Sequence, residues 1–293
     1  MNPWILALRP KTLTAALVPI AVATALVKAT GVPIQWWISV DALFVSFLIQ
    51  IATNFINDAI DFDKGADTET RTGPQRVTQT GLLTRRQVMV AGFACLVVAL
   101  GLGVPLVFQG GWPIVVIGLV SLFLAYGYTG GPFPLAYLGL GDLFVILFFG
   151  VIAVGGTFYL HTHDYGLPAV IAGLQVGLLA TVLIAINNLR DSPQDKLVGK
   201  KTLAVRFGTR FAKIEITVMA YLPFLLGMAY ASPGWKWAGY APLITVPLAS
   251  RLVRGIWKAE PGPVMNRFLA QAAGLQMAFG FALALGLWFS GRG

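Results

Sequence analysis

The chain is short of acid, of charge in general and of cysteine. Only 12 of its 293 residues are Asp or Glu, charged side chains make up 11% and hydrophobic ones 57%. The surface of a soluble domain is roughly 25–35% charged, so this composition excludes one and indicates a polytopic membrane protein. The single cysteine, Cys95, lies inside an apolar run. An intrachain disulfide and a thiolate metal site are therefore excluded, and Cys95 reads as core filler. Alternating strands of about ten residues, which a membrane barrel needs, are missing as well. Backbone groups in lipid must then be satisfied within helices, and the fold class is all-α. No cleavable signal precedes the first span, since Arg9 and Lys11 are not followed by a short apolar core and a small-residue cleavage site. Low-complexity tracts and a separate soluble domain are also lacking, which leaves one integral-membrane domain over residues 1–293.

What is present is a series of apolar stretches, each long enough to cross a hydrocarbon core of ~30 Å. They fall near 12–29, 39–57, 88–107, 113–130, 139–160, 168–188, 213–231, 238–254 and 268–288, which predicts a bundle of about nine transmembrane helices. Pro223, Pro233, Pro242 and Pro247 interrupt the two between 213 and 254. Of the 21 Lys and Arg, only Lys28, Lys236 and Arg292 lie outside one alternate set: the N-terminus and the loops 58–87, 189–213 and 251–267. Loops rich in Lys and Arg stay cytoplasmic, so the N-terminus faces the cytoplasm and the C-terminus the outside. Topology thus accounts for the +9 net charge without a nucleic-acid partner. Met1 to Leu8, with Trp4, is expected in the membrane interface.

Seven of the 12 acidic residues gather in two clusters on the cytoplasmic side. The first holds Asn57, Asp58, Asp61, Asp63, Asp67 and Glu69, the second Asn187, Asn188, Asp191 and Asp195. Both contain an N-x-x-x-D unit, and the two units are 130 residues apart. At helical spacing Asn57 and Asp61 share a face, as do Asn187, Asp191 and Asp195, so two helices can present amides and carboxylates to one cavity. Carboxylates that meet repel one another unless a cation holds them, and oxygen donors select hard ions such as Mg²⁺. The loops that follow supply Lys64, Arg71, Arg76, Arg85 and Arg86, then Arg190, Lys196, Lys200, Lys201 and Arg206, which suit an anion. Magnesium, a diphosphate and a lipid satisfy all three features. The ordinary alternatives are solvated helix ends for the acids, and topology signals or headgroup contacts for the bases. A cation-coupled transporter would carry its carboxylates mid-helix, not at helix ends. His161-Thr162-His163 has an H-x-H spacing beside Asp164 alone and is expected in a solvated external turn.

In order along the chain, Asn57-Asp58-x-x-Asp61, Gly65-x-Asp67, Arg71-x-Gly73-Pro74-x-Arg76, Asn187-Asn188-x-Arg190-Asp191-x-x-x-Asp195 and Gly199-Lys200-Lys201-Thr202-Leu203-Ala204-Val205-Arg206-x-Gly208 resemble the motifs of the UbiA-type intramembrane prenyltransferases. Arg9-Pro10-Lys11-Thr12-Leu13 and the segment from Tyr128-Thr129-Gly130-Gly131-Pro132 to Gly139-Leu140-Gly141-Asp142 point the same way. The spacing from Asp61 to Asp67 favours the branch that acts on 1,4-dihydroxy-2-naphthoate over the 4-hydroxybenzoate branch. The resemblance implies helices around a central cavity open to the bilayer, with a polar cap formed by the two motif loops. It implies Mg²⁺ held by Asp61, Asp67, Asp191 and Asp195, with Asp58 beside them and Asn57 and Asn187 assisting. Lys200, Arg76 and Arg71 would hold a polyprenyl diphosphate, with Lys201 and Arg206 among the substrate-binding residues, and Tyr128 would line the ring-binding side of the cavity. Arg9, Lys11 and Asp142 would bind the aromatic acceptor. Sibling acceptors are 4-hydroxybenzoate, homogentisate and haem; prenyl chain length and oligomeric state are not encoded in any motif.

Overall fold

The computed structural model describes residues 2–66, 73–231 and 234–290, with the Lys11 side chain also left aside. All regular structure among them is helical. In chain order the helices are α1 (Pro3–Leu8), α2 (Thr14–Ala29), α3 (Trp36–Asp63), α4 (Arg85–Gly110), α5 (Trp112–Gly127), α6 (Gly141–Val145), α7 (Ala153–Thr162), α8 (Leu167–Leu197), α9 (Leu203–Leu226), α10 (Lys236–Tyr240), α11 (Val246–Lys258) and α12 (Met265–Ser290). The π-helical stretch Ile146–Ile152 joins α6 to α7 without a break.

Helix starts follow local chemistry. Asn2 caps α1, Thr202 caps α9, and Thr84 with Gln87 forms a reciprocal capping box on α4. Proline stands in the first turn of α5, α8 and α11, where its missing N–H is harmless. Six helical stretches are long and apolar enough to cross a membrane, and α2 and α5 are shorter apolar helices of 16 residues each. The expected span 238–254 is different. Proline breaks it into α10, a 3₁₀ turn over Ala241–Thr245, and α11, which buries Ala249, Leu252, Val253 and Ile256 but exposes Arg251, Arg254 and Lys258. The expected span 213–231 begins earlier, at Leu203, with a non-helical Gly208 near its start.

Helix α8 is the axis of the bundle. Its face toward α6 and α7 carries Gly173 and Gly177 against Gly150. A Cβ on Gly150 would stand 2.3 Å from the Gly173 carbonyl oxygen, and one on Gly177 would stand 2.5 Å from that of Ile146. Small residues let these backbones touch, which is how membrane helices gain packing energy without a hydrophobic drive. Phe144 of α6 and Phe148 of the π-helical stretch beside that contact both face the interior. Val22, Leu26, Leu179, Ile186, Phe279 and Leu283 form the centre of the main apolar core.

His161 is not in a solvated turn. It is 5% exposed, at the end of α7 away from the acidic clusters; the Gln35 backbone N–H donates to its Nδ1 at 3.4 Å, and its Nε2 lies 3.1 Å from Ser39 Oγ. Ser39 continues to Thr24 at 2.7 Å, so one chain of hydrogen bonds ties α2, α3 and α7. A buried imidazole needs both nitrogens paired, and these partners supply that. His163 ends α7 in a left-handed conformation. Cys95 is half-buried against the cluster of Ala7, Phe55, Val77, Leu83 and Val88, as expected of filler.

Candidate active site

Both motif helices face one cavity of about 1360 Å³. Asn57 and Asp61 reach it from the end of α3, and Asn187, Asn188, Asp191 and Asp195 from the end of α8. Its deeper walls are apolar and include Ile20, Val45, Ile114, Ile117 and Leu160. Tyr128, Phe144 and Phe148 form an aromatic ladder on one side, with ring centroids 5.3 Å and 4.5 Å apart. The basic residues Arg9, Arg76, Arg190 and Lys200 also line it.

Each cavity-lining carboxylate in the two clusters has a cation beside it. Arg76 stands 3.4 Å from Asp61, and the Tyr137 hydroxyl donates to the other oxygen of Asp61 at 3.0 Å. Arg190, 2% exposed, makes a bidentate pair with its neighbour Asp191 at 2.7 and 2.6 Å and donates to Asn266 of α12 at 2.8 Å. Lys200 stands 3.5 Å from Asp195 Oδ1, while Asp195 Oδ2 is buried without a partner. The mutual repulsion that suggested a metal in the sequence is therefore offset by protein cations. Among the described residues, no three His, Cys, Asp or Glu side chains form a group that could hold a metal ion. Even so, the donor set fits Mg²⁺, which binds through one or two carboxylates and completes its shell with water and phosphate oxygens. Asp61, Asp191 and the unpaired oxygen of Asp195 are hard donors on one cavity.

Asp58 occupies another place. It is 1% exposed, does not line the cavity, accepts the Thr78 N–H at 3.2 Å and faces Arg9 at 4.0 Å. Asp67 and Arg71 lie outside the described residues, and the Lys11 side chain is not described. Lys201 and Arg206 are exposed and do not line the cavity; instead the Lys201 N–H donates to the Tyr137 carbonyl at 2.9 Å and Arg206 to the Leu138 carbonyl at 2.9 Å. Gly139 permits this close approach, since its φ is +74° and a Cβ there would stand 2.3 Å from the Lys201 oxygen.

Residues 16–271 match the UbiA prenyltransferase family. The chain belongs to that family. It is 31% identical over 301 residues to a 1,4-dihydroxy-2-naphthoate octaprenyltransferase of Haemophilus influenzae, covering 98% of this chain and 96% of that one. It is 32% identical over 307 residues to the Escherichia coli protein of the same description, covering 97% and 96%. Among solved structures, a UbiA homolog from Archaeoglobus fulgidus bound to GPP and Mg²⁺ aligns with a TM-score of 0.66 at 16% identity, over 97% of this chain and 99% of that one. At that identity the likeness is one of fold.

Within this UbiA fold, Tyr137 is one residue that sequence reading missed. Its ring carries Lys64 Nζ at 3.9 Å and Lys200 Nζ at 5.6 Å, one from each motif loop, while its hydroxyl holds Asp61. Burial and the Asp61 charge push its phenol up, so it stays a donor. Lys64 is pushed down chiefly by burial, against the pull of Asp61, and donates to the Thr129 carbonyl at 2.7 Å. Thr129 in turn donates to Asn57. Asn54 was missed too. It donates to the Leu8 carbonyl at 3.0 Å and to Thr12 at 2.9 Å, and so fastens the Arg9-Pro10-Lys11 segment to α3. Its signal was legible: Gln50, Asn54, Asn57 and Asp61 repeat at helical spacing inside an apolar run.

Proposed function

We propose that this chain transfers a polyprenyl group from polyprenyl diphosphate to 1,4-dihydroxy-2-naphthoate with loss of the carboxyl group, giving demethylmenaquinol for menaquinone biosynthesis. The observation that carries the proposal is the meeting of both N-x-x-x-D units at the polar end of one apolar, aromatic-walled cavity. Similarity of about 30% over nearly the whole chain to proteins described as 1,4-dihydroxy-2-naphthoate octaprenyltransferases supports the acceptor.

Asp61, Asp191 and Asp195 are the metal-facing carboxylates in this reading, with Asp67 joining them and Asn57 and Asn187 assisting. Bound Mg²⁺, present in the A. fulgidus homolog together with GPP, would neutralise the diphosphate as its allylic C–O bond breaks. Lys200 and Arg76, with Arg71, hold diphosphate oxygens. Tyr128, Phe144 and Phe148 turn π faces toward positive charge on the prenyl carbon without capturing it, and the apolar wall excludes water. Arg9 and Lys11 serve the carboxylate of the acceptor. Asp58 works behind the site, holding Arg9 and the Thr78 amide, and Lys201 and Arg206 hold the Tyr137 loop. Nine membrane crossings in the inner membrane, with the cap and N-terminus cytoplasmic, complete the reading.

Purified protein with Mg²⁺, a labelled prenyl diphosphate and a panel of aromatic acceptors tests it. Turnover of 1,4-dihydroxy-2-naphthoate in preference to 4-hydroxybenzoate and homogentisate is expected. Faster turnover of 4-hydroxybenzoate would overturn the acceptor and leave the metal-diphosphate chemistry standing. Reporters inserted near Gly73 and Gly199 should both read cytoplasmic; opposite faces would dismantle the shared site.

A further inference from the structure

Asp142 is the second residue of α6 and is 3% exposed, yet it lines the same cavity as Asp61 and Asp191. Its Oδ1 is buried with no hydrogen-bond partner, and no Lys or Arg among the described residues forms an ion pair with it. Buried acceptors are nearly always paired, so one left open on a cavity wall calls for a ligand donor. It stands at the foot of the aromatic ladder. A Cβ built on the adjoining Gly141 would lie 3.0 Å from the Tyr128 hydroxyl, and Tyr128 stacks on Phe144. Tyr128 lines the same cavity as Asp142, Asp61 and Asp195. From α8, Thr181 donates to the Asp142 backbone carbonyl at 3.4 Å.

A carboxylate with an unpaired oxygen, beside a flat aromatic wall and in one cavity with the diphosphate residues, has the placement of a base for a ring hydroxyl. We propose that Asp142 accepts the proton of the acceptor's ring hydroxyl as that ring attacks the prenyl carbon, an inference that rests on the acceptor being a hydroxylated aromatic acid. The new C–C bond forms from the ring's π electrons while the C–O pair leaves with diphosphate. The hydroxyl conjugated with the attacking carbon becomes a ketone, and its proton moves to Asp142 Oδ1. Loss of the carboxyl group as carbon dioxide leaves an enolate, which takes the proton back and restores the quinol. Asp142 ends the cycle ionised, as it began.

The experiment compares wild type, Asp142→Asn and Asp142→Glu, purified in the same detergent, with Mg²⁺, labelled prenyl diphosphate and 1,4-dihydroxy-2-naphthoate, measuring prenylated quinol and prenyl alcohol together. Loss of a general base costs on the order of 10²–10⁴-fold. Asp142→Asn should therefore lose at least about 100-fold in kcat for quinol, keep its KM for prenyl diphosphate, and regain rate as pH rises and the acceptor hydroxyl ionises unaided. In both variants the ratio of prenyl alcohol to quinol should rise, because the prenyl cation then waits for water. If Asp142→Asn does not fold, the product ratio of Asp142→Glu decides alone. An unchanged product ratio, or a loss in Asp142→Asn that pH does not relieve, overturns the proposal. A wild type that turns over no hydroxylated aromatic acid overturns the function reading itself, which is a separate result.

Discussion

Asp61 and Asp191 hold the same position in the same five-residue unit, yet Asp61 is tied by Arg76 and Tyr137 from distant loops, and Asp191 by Arg190, its own neighbour. The second unit is preset within one helix and braced by Asn266 on α12. The first depends on loops 73–84 and 128–140 being in place. Two equal motifs thus differ in support: α8 carries a cation for its carboxylate at the adjacent position, and α3 takes partners for its carboxylate from loops. Asp58, three residues before Asp61, sharpens the contrast, because it turns away from the cavity altogether.

The largest effect should come from removing what both units share. Turnover in EDTA should fall to background and return with added Mg²⁺, measured by prenyl transfer; full activity in chelator would sink the metal reading. Next, Asp61→Ala and Asp191→Ala should each lose about three orders of magnitude in kcat, on the scale of lost electrostatic stabilisation in mutated active sites. They should part in stability. Asp191→Ala strips the carboxylate from a buried guanidinium and should cost about 3 kcal/mol, seen as the larger drop in melting temperature in detergent. Equal melting temperatures would erase the distinction between the units.

Tyr137→Phe removes one hydrogen bond to a charged group, worth roughly 1.5–3 kcal/mol. If that bond sets Asp61, kcat should fall about tenfold or more, a loss of about 1.4 kcal/mol per decade, while acceptor KM stays put. A shift in acceptor KM alone would move Tyr137 to the ring-binding side. Asp58→Asn should leave turnover within about tenfold of wild type and cost about 1–2 kcal/mol of stability, as a weakened buried hydrogen bond does; loss of activity as deep as in Asp61→Ala would return Asp58 to the metal. Smallest of all is Asp63→Ala. Its pair with Arg85 at 2.7 Å is exposed on both sides, so melting temperature and rate should hardly change.

Much of the site was legible because its residues are expensive in lipid. An apolar chain that spends seven of its 12 acids in two places announces those places, and helical spacing says which of them share a face. Asn57 with Asp61, and Asn187 with Asp191 and Asp195, do line one cavity. Tyr137 was not legible, since one tyrosine in a loop of glycine and proline carries no period; only the approach of Lys64 and Lys200 from two distant segments marks it. His161 was misread because a polar triplet between apolar runs looks like a turn, whereas Ser39 and Gln35, more than 120 residues earlier, take it into the interior. The stretch 238–254 was expected as one span because summed hydropathy ignores which face is polar. Two prolines, Pro242 and Pro247, and the basic stripe of α11 interrupt it.

Sequence alone determined the solvent, the helical class, the positions of the apolar runs and the two oxygen-rich clusters, because hydropathy and 3.6-residue periodicity are local properties of the chain. Tertiary structure alone decided which carboxylates face one cavity, which cation each of them meets, and that Asp142 is left with an open oxygen beside the aromatic ladder. Those are matters of direction and distance between segments far apart in the chain, and in lipid they are set by how closely glycine-bearing helices such as α8 can approach their neighbours.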